Sequence, residues 1–491
     1  MKKLFNNLKT TDYIAYGAIL LFVFIFIWLS FGRHDALKSY LNDISAYDQA
    51  IWNTLHGRFM QISISAFDEP NMFASRFSPS LLFFVPFYLI YSSPKWLLLF
   101  QVISVGASAV PVYLLAKEKL KNANVALVFL ISYLLYPVLH NGLLYDFHEI
   151  VFAVGFAAWA FYFIEKRNDR LFILFSVLLA LTQEYLALLV FGMALYQMFI
   201  KKRWRLGAAV ALSALAYYAV ILLIVMPHLS LSGKPGFLAN TGAYASRYTW
   251  LGSSPSAMLK NVIAHPIRLL AIVLSPDRLK YIFLLVAPVF SLALFSWPLA
   301  IIIPVLPLYL LSSNSMTYNI FFYHSAIFAP FVFYAAIFSY KRWFLEGVFL
   351  RRLFAGLILL FSFGTSVVFG VSPLSLRYKV SDFIPDAHAR MIRELTRMVP
   401  ANVSISVQHN LGPHFSERQE IYRFPMKEDE AQYVALDETD PYRANPLQMF
   451  QFDYALQMDH DEWKSSIEKL KHSADFDLIY NNDGYLLFRR K

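Results

Sequence analysis

Acidic and imidazole side chains occur in four separate short segments of this chain, each beside long apolar stretches. Burying ionisable groups in an apolar setting is costly, so the places where they collect are informative. A carboxylate there can take a proton from an acceptor hydroxyl, and Arg or His can hold a phosphate. Any single polar residue in a loop needs no functional explanation, but the set favours an active site. Its members are Asp43 and Asp48; His140, Asp146, His148 and Glu149; Thr182, Gln183 and Glu184; and Tyr323 with His324.

The two carboxylates of the first segment have different local settings. Ser45 and Asp48 fit the Ser-x-x-acid capping box, which predicts a helix with Ser45 as its N-cap and Asp48 at its third position. Asp43 would precede that helix and has no such structural role. If both were helical, five residues at about 100° each would place them about 140° apart, poorly placed to share a proton. Both are candidate catalytic groups, and Asp43 is favoured.

A metal site is a second interpretation of the segment that holds His140, Asp146, His148 and Glu149. Adjacent residues such as His148 and Glu149 point to different faces of any helix, which favours ordinary loop residues. A divalent metal stays open as an alternative, and no cofactor or metal ligand is assigned. The chain has no cysteine, which excludes disulfides and thiolate catalysis. It has no phosphate-binding glycine loop, His-Glu-x-x-His helix or nucleophile elbow.

Membrane helices must position these residues. Of the 491 residues, 58% are hydrophobic and 15% are charged, whereas soluble domains carry about 25% charged residues. The net charge of +10 lies in short clusters between apolar stretches, which argues against nucleic-acid binding.

The run 79–91 predicts a re-entrant or interfacial helix, and 171–181 with 185–200 could form one long helix. About eleven transmembrane helices are predicted, near 13–31, 94–116, 124–139, 150–164, 171–181, 185–200, 207–226, 281–293, 298–311, 326–340 and 353–371.

Basic residues predict the orientation. Seventeen Lys and Arg residues lie in loops that face inward if the N-terminus is cytoplasmic, at about four times their density in the other loops. This predicts a multi-pass protein of the cell membrane with an extracytoplasmic C-terminal domain, so that the polar segments share the outer boundary. The transmembrane domain would cover 1–375, with large outer loops 32–78 and 227–280. A small α/β domain would cover 376–491, with a helix at 386–398 and strands at 402–407, 431–436 and 477–488.

Several different short motifs are distributed along nearly the whole chain. They are Asp43–Asn53, Phe77-Ser78-Pro79, Phe147-His148, Ser246–Gly252 with Ser254-Pro255, Tyr323-His324, Gln408–Pro413 and Arg418–Pro425. In their order and spacing they resemble the multi-pass membrane proteins of domain-of-unknown-function family 2079. Arg76 departs from that family, where His is usual, as does Gln183–Tyr185, where Lys-Glu-Asp is common. The family is in turn similar to polytopic glycosyltransferases of the C-type (GT-C) fold. Those enzymes have a cytoplasmic N-terminus, an essential acid in a long first outer loop, and often an outer C-terminal domain.

The resemblance implies inverting transfer of a sugar from a polyprenyl-phosphate carrier to an acceptor glycan, lipid or protein on the outer face, among membrane lipids. The first-loop pattern of those enzymes falls on Asp43, Tyr47 and Gly57, which makes Asp43 the general base or the group that positions the acceptor. The donor phosphate would be bound by Arg76, Arg247 and His324. Further polar candidates are Asp146, His148, Glu149 and Glu184.

A transporter or lipid flippase is the alternative function. Transporters place ionisable residues near the bilayer midplane, often in broken helices related by a repeat. Here the predicted spans are nearly free of charge, the ionisable residues gather at one face, and no internal repeat is found. A third interpretation is a membrane scaffold whose outer domain binds a partner, but it leaves the polar cluster unexplained.

Overall fold

The structure, a computed structural model, describes residues 9–64, 69–231, 233, 247–252, 255–344, 346–439 and 460–491. Helices dominate it. They are α1 (Thr10–Asp35), α2 (Ala46–Leu55), α3 (Met72–Ser75), α4 (Val85–Ile90), α5 (Lys95–Leu120), α6 (Ala123–Leu134), α7 (Pro137–Tyr145), α8 (Glu149–Phe152), α9 (Val154–Glu165), α10 (Asp169–Ala180), α11 (Ala187–Phe199), α12 (Trp204–Val220), α13 (Met226–Leu229), α14 (Pro255–Ala264), α15 (Pro266–Val273), α16 (Pro276–Val286), α17 (Leu306–Leu310), α18 (Ala329–Phe344) and α19 (Val348–Phe369).

Five helical segments are long and apolar enough to cross a membrane, judged by length and composition: Thr10–Asp35, Lys95–Leu120, Ala123–Tyr145, Trp204–Leu229 and Val348–Phe369. The pair Ser256–Ala264 and Pro266–Val273 would be a sixth, and it is bent by 87°. Each of the eleven predicted stretches is mainly helical, several of them as short α-helices joined by 3-10 turns. The helical, polytopic architecture is thereby confirmed. The stretches 171–181 and 185–200 are two helices rather than one.

Polar side chains and prolines explain where several helices begin. The Asn122 side chain accepts hydrogen bonds from two backbone N–H groups of α6, and the Asn168 side chain does the same for one N–H of α10. Such caps satisfy donors that have no partner inside the helix. Proline is favoured at the first helical position, where its missing N–H costs nothing. It occupies that position in α7, α15 and α16, as Pro137, Pro266 and Pro276.

The C-terminal domain adds two helices and a five-stranded sheet. Its elements are α20 (Ala387–Met398), β1 (Ile405–Val407), β2 (Ile421–Arg423), β3 (Tyr433–Asp437), α21 (His460–Lys471), β4 (Phe476–Asn482) and β5 (Tyr485–Arg490). The strand order is β2-β1-β3-β5-β4, with β1 parallel to β2 and β3, and β5 antiparallel to β3 and β4. The predicted helix and strands are confirmed, except that 477–488 is a hairpin of two strands. Gly484, with φ of +80°, forms its turn.

The first large loop is a folded layer between the membrane helices and the C-terminal domain. Its buried apolar residues share one hydrophobic core with α4 and with the sheet. The Leu41 N–H donates to the His409 carbonyl (2.9 Å), and Gln49 Nε2 donates to the Arg418 carbonyl (3.2 Å). At Gly412 an added Cβ would lie 2.5 Å from Leu41 Cδ1, so the close approach requires glycine there. The C-terminal domain is therefore docked on the first large loop.

The orientation remains a prediction from the basic loops, and the cysteine-free sequence allows a direct test. Single cysteines are best placed at Asn124 and Ala474, which are exposed. Asn124 is preferable to Asn122, since the Asn122 side chain caps α6. In intact cells, a membrane-impermeant thiol reagent is expected to label Ala474→Cys and to leave Asn124→Cys unlabelled until the cells are opened. Labelling of the Asn124 position alone would reverse the orientation.

Candidate active site

A cavity of about 260 Å³ opens at the end of the helix bundle that carries the first large loop. Five acidic, basic or imidazole residues expected from the sequence line it: Arg76, Glu149, Glu184, Arg247 and His324. They come from five segments that are far apart in the chain and meet only in the folded structure. The rest of the lining includes tyrosines and apolar residues: Tyr185, Tyr218, Tyr248, Tyr309, Tyr323, Ile150, Met226, Leu251, Met258, Pro307, Leu308 and Leu311.

Arg76 and Glu149 are joined on the cavity wall through Tyr47, which lies in α2. The Arg76 guanidinium donates to the Tyr47 hydroxyl, and that hydroxyl donates to Glu149 Oε2. Arg76 Nη1 lies 4.0 Å from the same carboxylate oxygen. The Ser78 hydroxyl donates to Glu149 Oε1 over 3.5 Å. This network fixes the direction of a buried guanidinium that is 7% exposed and borders the cavity.

Glu184 holds the segment that follows Arg76. Its Oε2 accepts a hydrogen bond from the Phe77 N–H (3.0 Å), and the Ser80 N–H donates to the Leu181 carbonyl (2.9 Å). The turn between α10 and α11 is thus tied to the backbone beside Arg76. Glu184 lines the cavity and at the same time positions one of its cations.

Arg247 belongs to a wall formed by the second large loop. The Ser313 N–H donates to the Arg247 carbonyl (2.9 Å), and Trp250 Nε1 donates to the Leu311 carbonyl (3.0 Å). These bonds attach the loop to the end of α17. Burial, with the charges of Arg247 and Arg76, holds the pKa of His324 well below its usual range. His324 is therefore neutral at pH 7 and lies within electrostatic reach of both guanidinium groups.

Asp43 lies one layer behind the cavity wall. Its Oδ1 is 3.6 Å from Nε2 of His148, and the His148 ring stacks on Tyr323 with ring centroids 3.3 Å apart. Tyr323 faces the cavity. His148 is fully buried, and burial, with the charges of Arg76 and His324, lowers its pKa far below the ordinary value. In an Asp–His pair with a neutral imidazole, one group can accept a proton while the other holds it in position. This is the arrangement that general base catalysis uses.

Gln101, in α5, fixes the turn that presents Asp146 and His148, and sequence analysis missed it. Its side-chain amide donates to the Asp146 carbonyl (3.0 Å) and accepts from the His148 N–H (2.8 Å). Asp146 has φ of +142°, a conformation that favours glycine, so the clamp holds a strained residue in place. The Asp146 carboxylate accepts from the Tyr40 N–H (3.0 Å). The only signal in the sequence was one amide inside an apolar stretch.

Asp146 should make stability depend on pH. Burial raises the pKa of its carboxyl to about 8, Arg33 opposes this rise, and Asp43 adds to it. The folded chain therefore keeps a proton that the unfolded chain begins to release near pH 4, so the unfolding free energy falls as pH rises from about 4 to about 8. Asn does not titrate, so Asp146→Asn should abolish this fall in the unfolding free energy with rising pH. In melting curves, the difference in Tm between variant and parent should grow in favour of the variant from pH 5 to pH 8. A constant difference would contradict the assignment.

The capping box expected at Ser45 and Asp48 is wrong. Residues Leu41–Ser45 form a π-helical turn that runs directly into α2, so Ser45 has helical backbone angles and caps nothing. Asp43, expected before the helix, lies inside that turn. The carboxylate of Asp48 accepts hydrogen bonds from the hydroxyls of Tyr88 and Ser416, both at 2.6 Å. Asp48 is fully buried between the membrane part and the C-terminal domain, and it does not line the cavity.

A metal ion has no obvious ligand set in the described part of the chain. No group of three or more His, Asp or Glu residues there could hold one. His140 points away from Asp146, His148 and Glu149, because its Nε2 lies 2.6 Å from the Leu134 carbonyl of the preceding helix and its ring packs on Phe26. The four residues once grouped as a metal candidate therefore do not converge.

The fold is similar to the fold of a solved protein structure. It matches the crystal structure of ArnT from Cupriavidus metallidurans bound to undecaprenyl phosphate, with a TM-score of 0.53 over 96% of this chain and 98% of that chain, at 12% sequence identity. Likeness at this identity concerns the fold, and it confirms the expected GT-C architecture. A search of curated proteins found no match to the sequence.

The family resemblance rests on a direct match. The model of the family described as "Predicted membrane protein (DUF2079)" matches residues 33–487, which include the first large loop, every lining residue of the cavity and nearly all of the C-terminal domain. Since this match covers most of the sequence, the chain belongs to the DUF2079 family of predicted membrane proteins.

Proposed function

We propose that this chain is a membrane glycosyltransferase that moves a sugar from a polyprenyl-phosphate carrier to an acceptor on the outer face. One observation carries the proposal: two arginines, a histidine and two glutamates from distant loops line a single cavity at one end of the helix bundle. The fold adds support, since the ArnT of the same architecture was crystallised with undecaprenyl phosphate.

Arg76, Arg247 and His324 are the groups that would bind the donor phosphate. A guanidinium can grip two phosphate oxygens at once, and a leaving phosphate needs positive charge beside it as its bond to the sugar breaks. A neutral His324 can donate one further N–H. The Tyr47 hydroxyl between Arg76 and Glu149 keeps the first guanidinium oriented before the donor arrives.

Asp43 would act as the general base, with His148 beside it. The acceptor hydroxyl oxygen attacks the anomeric carbon from the face opposite the phosphate. The bond from that carbon to the phosphate oxygen breaks, its electron pair leaves with the phosphate, and the hydroxyl proton passes to the Asp43–His148 pair. Glu149, Glu184 and Asp146 would act as positioning residues, because each is engaged by hydrogen bonds to neighbouring loops.

The distribution of charge disfavours the transporter alternative. Among the described residues, buried ion pairs lie near the two ends of the bundle: Asp12 and Glu165 pair with lysines at one end, and Arg76 lies beside Glu149 at the other. The helices between these ends contribute mostly apolar side chains to the core. A site at one boundary suits group transfer from a lipid carrier better than passage through the bilayer.

Binding of the carrier tests this proposal without knowledge of the sugar. The purified chain in nanodiscs is expected to bind undecaprenyl phosphate at least about tenfold more tightly than uncharged undecaprenol, a difference of about 1.4 kcal/mol. Equal binding of the two lipids would show that the phosphate contributes nothing to binding, which would contradict the proposal.

A further inference from the structure

A second cavity, of about 520 Å³, is lined by a set of residues that shares no member with the lining of the candidate active site. It is a groove between α18 and the segment that runs from α16 to α17. Its lining is apolar apart from one serine and one arginine. The lining residues that matter here are Ile282, Phe295, Trp297, Ala300, Val332 and Arg342.

The course of α18 sets the depth of this groove. The helix begins at Ala329, shortly after Tyr323 and His324 of the candidate active site, and ends at Phe344. Val332 and Arg342 both line the groove and are ten residues apart, which is about 15 Å along a helix at about 1.5 Å per residue. That length equals about half of the hydrocarbon thickness of a bilayer, about 30 Å. The groove is thus about as long as one leaflet is deep, and Arg342 lies at the end of α18 that is far in sequence from Tyr323 and His324.

Charge at the end of the groove indicates what kind of head group fits. Lys341 and Arg342 lie in the last turn of α18, and both are exposed. Neither forms an ion pair with any acidic residue in the part of the chain that the structure describes. Trp343 beside them is 41% exposed and packs on Phe295 with ring centroids 4.9 Å apart. Tryptophan and basic residues at this depth are typical of a membrane interface.

We propose that this groove is a binding site for an anionic glycerophospholipid of the leaflet opposite the active site. Its acyl chains would lie along Ile282, Phe295 and Val332, and its phosphodiester would be held by Arg342. Uncharged or zwitterionic lipids would fill the apolar part without the full gain at the head group. The site is independent of the proposed transferase activity.

Native mass spectrometry of the detergent-purified chain tests the proposal. With equimolar phosphatidylglycerol and phosphatidylethanolamine, we expect preferential retention of phosphatidylglycerol. Arg342→Gln should reduce that retention by about tenfold, the effect of one charge-assisted contact. Arg205→Gln is the matched control and should retain the lipid, because Arg205 is an exposed arginine outside the groove, in a loop predicted to lie on the same side of the membrane as Arg342.

A second variant separates the groove from general surface charge. Ala300→Trp fills the apolar part and should reduce retention of phosphatidylglycerol while Arg342 is intact. Melting curves of the variants report whether the fold is kept. Three results would overturn the proposal: unchanged retention in both variants, equal loss in Arg205→Gln, or a preference for undecaprenyl phosphate over phosphatidylglycerol at this groove.

Discussion

Asp43→Asn is expected to lower sugar transfer by at least about 100-fold, the usual contribution of a general base. The amide keeps the size of the carboxylate but cannot take the acceptor proton. Because Asp43 is close to isosteric with Asn and lies near His148 rather than in the hydrophobic core, the variant should reach the membrane at parental levels and melt near the parental temperature. Transfer is measured as loss of sugar from the polyprenyl carrier.

Two neighbouring carboxylates serve as controls. Asp48→Asn should keep most of the transfer activity and lower stability by about 1 kcal/mol, because it disturbs the bonds from Tyr88 and Ser416. Glu184→Gln tests the carboxylate that lines the cavity directly. If Asp43→Asn transfers sugar normally while well-folded Asp48→Asn or Glu184→Gln does not, the base has been assigned to the wrong residue.

Arg247→Lys is expected to weaken the use of a polyprenyl-phosphate sugar by about tenfold or more, which is about 1.4 kcal/mol. Lysine keeps the positive charge but lacks the planar guanidinium that can donate hydrogen bonds to two phosphate oxygens at once. A residue that merely anchors ordinary lipid head groups should tolerate lysine, so the conservative change distinguishes the two roles.

The same loop region offers a matched control for this arginine. Arg268, on α15, lies over the ring of Trp250 at 5.3 Å and does not line the cavity. Arg268→Lys should leave transfer nearly unchanged, and both variants should insert into the membrane normally. Unchanged transfer by Arg247→Lys would exclude Arg247 from the donor site.

The sequence was sufficient for the helical stretches and for the collection of site candidates, because both depend on local signals. A long apolar run predicts a helix in lipid wherever it packs. Arg76, Arg247 and His324 were singled out by chemistry and by family resemblance, and the structure places all three on one cavity. Each lies between long apolar runs of the sequence, where a polar residue is easy to recognise.

What failed were inferences that needed tertiary contacts. The capping-box pattern at Ser45 and Asp48 is a local rule, but the helix extends upstream through Leu41–Ser45, and the partners of Asp48 are Tyr88 and Ser416, 40 and 368 residues away. Gln101 was passed over because one amide in an apolar helix carries no periodic signal. The role of Gln101 depends on its hydrogen bonds to the turn from Asp146 to His148, which exist only in the folded structure.

The most direct test of the transferase assignment is turnover of the carrier itself. The purified chain is reconstituted into liposomes with a lipid extract of its native membranes, which supplies the polyprenyl-phosphate sugars and the acceptors, and sugar-free polyprenyl phosphate is measured over time. We expect the parent chain to release this lipid steadily and the Asp43→Asn chain to release at most about 1% as much. Equal release by the two chains, or movement of intact lipid-linked sugar across the bilayer without any release, would contradict the assignment and favour a transporter.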